Sequence, residues 1–197
     1  MTRFIPSLLI VTTASAVIPE FFLIGFTHIL LDGLDHILFI LGLFFLTRSF
    51  PVLLFQMTLF TLAHSLSLGL SIYGIVSVPT VVVEIAIALS IAFIAIENLF
   101  YEHLSRWRSL MVFGSGLIHG LGFAHSFEQK LVASGDFLPA LFSFNMGIEL
   151  GQLAVVGIAY SVVAAWWNHE RYCAAIARPA SVVIAASGIY WAIERSM

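Results

Sequence analysis

The chain has 197 residues, of which 60% are hydrophobic and only 10% are charged, and its formal net charge is −3. A soluble domain carries about 25% charged residues, so this composition excludes an ordinary soluble protein and predicts an integral membrane protein. The lack of a basic cluster argues against nucleic acid as a partner. The single cysteine, Cys173, excludes an internal disulfide bond and a metal site built on several thiolates.

The N-terminal segment has the pattern of a secretory signal. Arg3 precedes an apolar stretch over residues 4–11, and the Ala-Ser-Ala sequence at 14–16 resembles a cleavage site. The predicted domain division is therefore residues 1–18, a signal-like segment or a short retained helix, and residues 19–197, a transmembrane helical bundle. The sequence leaves both alternatives for the first segment open.

Six apolar segments follow, and most approach the roughly 20 residues that a helix needs to cross a bilayer. They are uniformly apolar and lack the alternation that is typical of barrel strands. The predicted fold is therefore all-α, a polytopic transmembrane helix bundle of six core helices plus the N-terminal segment. The predicted spans cover residues 21–46, 52–73, 81–100, 110–127, 138–167 and 180–193.

The first span carries four ionisable side chains, His28, Asp32, Asp35 and His36. Each costs roughly 2.5 to 3.5 kcal/mol at the middle of a membrane, so four together require a reason. In a continuous helix with about 100° per residue, all four would share one face. Two imidazoles and two carboxylates on one face are typical ligands of a divalent transition metal.

The second and third spans add further polar residues at depth. His64 lies in the middle of the second span, where even an uncharged imidazole needs partners for its nitrogens. In the third span, Glu97 and Asn98 are expected either to hold a ligand histidine in place or to lie at the headgroup level beside Tyr101. The sequence does not decide between these two hypotheses.

The fourth and fifth spans complete the predicted site. His119 is surrounded by glycines, which allow a neighbouring backbone or an ion to approach closely. In the fifth span, Asn145, Glu149 and Gln152 share a helical face, and a buried Glu149 would be protonated or paired with a cation. One buried histidine alone is more often structural, but histidines and carboxylates from four spans together favour a metal site. The predicted ligands are His28, Asp32, Asp35, His36, His64, His119 and Glu149, held in place by Glu97, Asn98, Asn145 and Gln152.

The loop arginines predict the orientation of the bundle. With six spans, one side carries five arginines, whereas the other carries only Lys130 and Arg195. The arginine-rich side should be cytoplasmic, which places the C-terminus in the periplasm and agrees with the signal-like N-terminus. The five arginines are Arg48, Arg106, Arg108, Arg171 and Arg178.

Five ordered motifs resemble those of the HupE/UreJ family, the hydrogenase and urease accessory membrane proteins. They are GFTHILLDGLDHILF at 25–39, FTLAHS at 60–65, IEN at 96–98, GLIHGLGFA at 116–124 and NMGIELGQ at 145–152. The resemblance implies a permease of the bacterial inner membrane for nickel or a similar divalent ion, with His28 and the Asp35-His36 pair central to ion recognition. Nickel-associated members carry a proline where Ile29 follows His28 here.

The sequence therefore predicts transport of a divalent transition metal, with nickel favoured and zinc, cobalt, copper and iron left open. The expected partners are the lipid bilayer and the metal ion, and a homo-oligomer or a metalloenzyme-maturation partner is left open. The main alternative is an intramembrane metalloenzyme acting on a lipid or small substrate. The third is a structural or assembly partner whose buried polar residues only join helices.

Overall fold

The structure, a computed structural model, describes residues 7–47, 49–101, 104–131, 137–166 and 172–197. These residues form α-helices and one short π-helical segment, and they contain no strand, which confirms the predicted all-α bundle. The α-helices are α1 Ser7–Leu30, α2 Leu34–Leu46, α3 Phe50–Ile72, α4 Thr80–Phe100, α5 Arg108–Leu131, α6 Phe137–Val163 and α7 Arg178–Glu194. The π-helical segment Cys173–Ala177 directly precedes α7.

Several residues on which the sequence analysis relied lie outside the described part of the chain. They include Arg3, Arg48 and Arg171, which contributed to the predicted orientation. Residues 7–18 are described, and they belong to the same continuous helix, α1, as His28. Removal of residues 1–18 as a signal stays a prediction.

The helices have the lengths and composition of a multi-pass membrane protein. Three single helices, α3, α4 and α6, are long and apolar enough to cross a bilayer, and so is α7 together with the π-helical segment. The bent pair α1 and α2 is a further candidate if the two helices form one broken span. Helix α5, which contains the predicted span 110–127, has 24 residues but is less apolar because of its glycines, serines and histidines.

The prediction of one continuous helix over residues 21–46 is wrong. Helix α1 ends at Leu30, α2 begins at Leu34, and the two axes are bent by 69°. An Asp-Gly pair, a common turn signal, lies at the break. The Gly33 backbone packs against the carbonyl group of His28, where no Cβ atom would fit. The single helical face that was predicted to carry all four ionisable residues therefore does not exist.

Glycines set the distance between α3 and α5. The Gly116 backbone lies against the carbonyl oxygen of Phe60, and the Gly120 backbone lies against that of His64, so a side chain at either glycine would collide with α3. Small residues four apart permit such close approach in membranes, where packing rather than the hydrophobic effect joins helices. The predicted close approach of a neighbouring backbone to the glycines around His119 is therefore confirmed.

A second glycine pair joins α6 to α1. The Gly147 backbone lies against the carbonyl oxygen of Phe22, and a Cβ atom at Gly151 would meet the side chain of Ile29. In the same interface, Ser143 donates a hydrogen bond to the carbonyl oxygen of Ile18. Helix α1 is thus in contact with α6 from Ile18 to Ile29, and this contact positions its last turn, where His28 lies.

We expect Gly116→Ala to destabilise the protein and Gly114→Ala to leave it unchanged or slightly more stable. A methyl group at Gly116 would press into the α3 backbone, whereas one at Gly114 meets nothing within 4 Å. Overpacking of this kind costs about 1 to 3 kcal/mol, while alanine is the better helix former by about 1 kcal/mol. The fraction of each variant that stays monodisperse in detergent after heating measures the difference. Equal stability of the two variants would contradict the close contact.

Candidate metal centre

Three histidines converge at the break between α1 and α2. His28 lies in the last turn of α1, His36 in the first turn of α2, and His64 in α3. One ring nitrogen from each lies within 4.8 Å of the other two, and the three side chains are buried. Nitrogen ligands of one ion lie about 3.3 Å apart when metal–nitrogen bonds are near 2.0 to 2.1 Å. Small side-chain movements would therefore let all three bind one ion.

The bend between the helices creates this convergence. The ring centroids of His28 and His36 are 4.6 Å apart, and the ring centroid of His64 lies 6.1 Å from that of His28 and 5.8 Å from that of His36. The sequence predicts that the first two histidines meet because they share a helical face. They meet instead because the chain turns at Gly33, and α3 supplies the third ring.

Several buried ring nitrogens have a lone pair that a ligand can use. Both nitrogens of His36 and both nitrogens of His64 are buried and have no hydrogen-bond partner within the described part of the chain. Buried polar atoms are nearly always satisfied, and a neutral imidazole offers one lone pair that a metal ion can take. The donor set therefore fits a transition-metal ion.

His119 is the fourth histidine of the cluster and comes from α5. Its ring centroid lies 4.8 Å from that of His36, and its Nε2 atom lies 3.2 Å from the Oγ atom of Ser90 on α4. Only 1% of His119 is exposed. It lies outside the group of three converging nitrogens and next to His36. The contact between Ser90 and this ring was not predicted from the sequence.

Aromatic rings enclose the histidines on the side away from the cavity described below. The ring of Phe60, one turn from His64, lies 5.1 Å from that of His119 and 4.9 Å from that of Phe39. Phe39 and Phe60 are each 1% exposed. These two rings close the cluster toward the end of the bundle where α5 begins. We call this end the Arg108 end.

A cavity of about 310 Å³ reaches the histidines from the opposite end of the bundle. The starts of α2 and α4 and the end of α7 meet at this end, which we call the cavity end. The cavity contacts three of the four clustered histidines and carries three acidic residues and one arginine. Its ionisable lining residues are His28, His36, His119, Asp32, Asp35, Glu84 and Arg195. A concave surface with this excess of carboxylates attracts cations.

Comparison with known proteins agrees with this architecture. The family described as HupE / UreJ protein matches residues 6–195 of the chain. The chain belongs to the HupE / UreJ family. The resemblance predicted from residues 25–152 is thereby confirmed and extends over nearly the whole chain. No curated protein and no solved structure matches the chain.

The two aspartates of the first motif lie at the cavity of this HupE / UreJ protein and differ in their contacts. Asp32 is exposed in the turn between α1 and α2. Asp35 is partly buried, and its Oδ2 atom lies 3.1 Å from the Nη2 atom of Arg195. The structure thus pairs Asp35 with an arginine from the last turn of the described chain. This partner was not predicted, because in the sequence Arg195 stands out only as a charge beyond the last span.

The polar residues of α6 bind α3. Glu149 accepts hydrogen bonds from the hydroxyl groups of Thr58, at 2.7 Å, and Thr61, at 3.1 Å. Gln152 Oε1 lies 3.3 Å from the Thr61 hydroxyl, and the hydroxyl group of Ser65 donates to Asn145 at 2.5 Å. The three α6 residues share a face, as predicted, and that face is turned toward α3. Their part in metal binding stays a prediction.

Glu97 and Asn98 lie at the Arg108 end and not among the histidines. Glu97 forms an ion pair with Arg108, with Nη1 and Oε2 2.5 Å apart, and accepts a hydrogen bond from Ser105 at 2.7 Å. Asn98 donates to the carbonyl oxygen of Gly42 at 2.7 Å. Both were predicted either to orient a ligand histidine or to lie among the headgroups. The structure contradicts the first alternative, because it places both residues in the last turn of α4, buried, around an arginine. Their position at the headgroup level stays a prediction.

Arg108 itself corrects the predicted orientation argument. It was counted as a loop arginine, yet only 1% of it is exposed. Arg108 is the first residue of α5. Its side chain extends between α2 and α4, where its Nη2 atom donates a hydrogen bond to the carbonyl oxygen of Gly42. Of the five arginines used for the orientation, Arg106 and Arg178 are exposed and fit the prediction of a surface position.

Proposed function

We propose that this HupE / UreJ protein carries a divalent transition-metal ion across the bacterial inner membrane, with nickel favoured as the substrate. The observation that supports this most is the convergence of His28, His36 and His64 at a helix break, next to a cavity that is lined by carboxylates. Neutral imidazoles suit nickel, cobalt, zinc and copper, and carboxylates offset the charge of the ion. Membership of the family supports nickel among these metals.

The proposed path begins at the cavity. The ion enters past Asp32 and Asp35 and loses water to His28, His36 and His119, which line the cavity, and His64 lies one step deeper. Broken helices at mid-membrane form substrate sites in many transporters, because their ends supply polar groups within the bilayer. A chain of weak sites lets the ion leave again. A dication gains about 4.6 kcal/mol per 100 mV of membrane potential, which is enough to drive uptake.

In the proposed path, packed groups at the Arg108 end close the second exit. Phe39 and Phe60 pack together beyond the histidines, and farther along the same direction the Arg108 network joins α2, α4 and α5. An ion that reaches His119 can therefore leave toward the Arg108 end only after these groups separate. This arrangement, open at one end and closed at the other, is what alternating access requires.

Nickel uptake into liposomes tests the proposal directly. Purified protein in liposomes with an imposed inside-negative potential should accumulate nickel in a saturable manner, and empty liposomes should not. Elemental analysis of the same preparation gives the metal retained per protein chain. Tightly retained, stoichiometric metal without uptake would favour a metalloenzyme, since three histidines beside an open position also form catalytic zinc sites. Neither uptake nor bound metal would favour the structural or assembly role.

We propose that Glu149 receives the ion beyond the histidines, and we expect Glu149→Gln to reduce nickel uptake by roughly tenfold or more. The glutamine removes the negative charge, and its Oε1 atom can accept from one threonine hydroxyl group while its amide nitrogen donates to the other, so the fold should be kept. Glu194→Gln, an exposed residue at the end of α7, is the matched control and should change uptake less than about twofold. Equal nickel uptake by the two variants would show that Glu149 does not lie on the transport path.

We propose that the cavity end faces the periplasm. Arg195 lines the cavity and lies just beyond α7, so the side on which Met197 lies is also the side from which the ion enters. Exposed arginines such as Arg106 belong at the opposite, cytoplasmic face. A reporter enzyme that is active only in the periplasm, fused after Met197, should therefore be active. A reporter that is active only in the cytoplasm would show that the orientation is reversed.

A further inference from the structure

We propose that Arg195 is a displaceable counter-ion that guards the cavity: its guanidinium group holds the carboxylate of Asp35, and an incoming divalent cation competes with it for that carboxylate. The inference rests on the proposed function, because it concerns how the same ion reaches the histidines. It assigns a role to a residue outside the five sequence motifs.

Three contacts place the guanidinium group of Arg195 at the cavity. Its Nη2 atom lies 3.1 and 3.3 Å from the two carboxylate oxygens of Asp35. Its Nη1 atom donates to the carbonyl oxygen of Glu84 at 3.1 Å, and the guanidinium carbon lies 5.4 Å from the ring centroid of Trp191. The guanidinium group of Arg195 thus joins the start of α2 to α4 and α7 at the opening of the cavity.

Because of its position, the Asp35 carboxylate attracts both Arg195 and a metal ion bound at the histidines, so the two cations compete for it. Asp35 precedes His36 directly in the chain, and both line the same cavity as Arg195. A dication bound by the imidazoles would be attracted to the Asp35 carboxylate and repelled by the guanidinium group, since charges a few ångströms apart interact strongly outside bulk water. Binding of the ion therefore favours a conformation in which Arg195 has left Asp35.

The environment of the pair permits such an exchange. The side chains of Arg195 and Asp35 are 23% and 22% exposed, whereas those of Arg108 and Glu97 are 1% and 6% exposed. Partly solvated ion pairs contribute little net free energy, because water stabilises each partner when they separate. The Asp35 pair can therefore open at small cost, while the Arg108 pair is part of the permanent core.

Nickel binding to full-length protein in detergent, measured by titration calorimetry with nickel chloride, tests the proposal. Arg195→Gln removes the competing charge and should tighten nickel binding by roughly tenfold, within the usual range of coupling between sites. Arg195→Lys keeps the charge and should stay close to the wild type. Arg106→Gln is the matched control, because it makes the same substitution at an exposed position, and should change the affinity less than about twofold.

A purely structural role for Arg195 predicts the opposite sign. If Arg195 only anchored the start of α2, Arg195→Gln would loosen His36 and weaken nickel binding, so unchanged or weaker binding overturns the proposal. In an Asp35→Asn background, only the direct repulsion between Arg195 and the ion is left, so Arg195→Gln should tighten nickel binding clearly less than tenfold; a full tenfold gain there also overturns the proposal. Wild-type protein that binds no nickel would mean that the proposed function itself fails. Nickel binding that depends on His36 but does not tighten in Arg195→Gln contradicts this inference alone.

Discussion

Replacing His36 with alanine is expected to reduce nickel binding by more than about a hundredfold and to abolish uptake. His36 lies at the centre of the cluster, with ring centroids 4.6, 5.8 and 4.8 Å from those of His28, His64 and His119. Groups that only support metal ligands are worth about ten- to a hundredfold in affinity, so a ligand itself should be worth more. The same loss is expected for His28→Ala and for His64→Ala. Calorimetric titration with nickel and uptake into liposomes measure the two effects.

The control for this prediction is His103→Ala. His103 is predicted from the sequence to lie in a loop, and it lies outside the described residues. The variant should bind and transport nickel like the wild type. If His28→Ala and His36→Ala were correctly inserted and kept full metal-dependent activity, the metal site would be disproved. The buried histidines would then have to serve helix packing or proton transfer.

The sequence predicted the helices well because length and hydrophobicity determine what can cross a bilayer. The predicted span 52–73 corresponds to α3 Phe50–Ile72, and the predicted span 81–100 corresponds to α4 Thr80–Phe100. The break after Leu30 was missed, because a continuous apolar run outweighed the Asp-Gly turn signal inside it. Hydropathy alone does not distinguish a straight span from a broken one.

The histidines of the candidate site were predictable, but most of their surroundings were not. Imidazoles are so unusual within apolar spans that His36 and His64 stand out from the sequence alone. The partners of the charged residues depend on which helices pack together. Arg195 meets Asp35 from 160 positions away in the chain, and no local pattern indicates that contact. Ser90 of α4 likewise contacts His119 of α5, and no local pattern indicates that contact.

The buried ion pair at the Arg108 end is expected to control stability more than any other polar contact described above. Arg108 donates to Glu97 at 2.5 Å, to Asn98 at 3.2 Å and to the carbonyl oxygen of Gly42 at 3.2 Å. Asn98 extends the network to Ser181 of α7 at 3.2 Å. One guanidinium group thus connects the ends of α2 and α4 with the start of α5, and Asn98 adds α7.

We expect Arg108→Met to destabilise the protein by about 3 to 5 kcal/mol, because it leaves the Glu97 carboxylate buried without its counter-charge. Arg106→Met, two residues earlier and exposed, is the matched control and should change stability by less than about 0.5 kcal/mol. Unfolding in detergent, followed by helical circular dichroism during heating, measures both. An Arg108→Met protein as stable as Arg106→Met would show that the pair contributes nothing.

The double variant Glu97→Gln with Arg108→Met separates the charge effect from lost packing. Removing both charges leaves no uncompensated ion, so the double variant should regain most of the stability that Arg108→Met loses. Its nickel affinity should stay near that of the wild type, because Glu97 bonds to Arg108 and Ser105 at the opposite end from the cavity. A double variant no more stable than Arg108→Met would mean that the guanidinium group acts by filling space and by its bond to Gly42. In that case packing and the hydrogen bond to Gly42 would hold α2 at this end, and the ion pair would be dispensable.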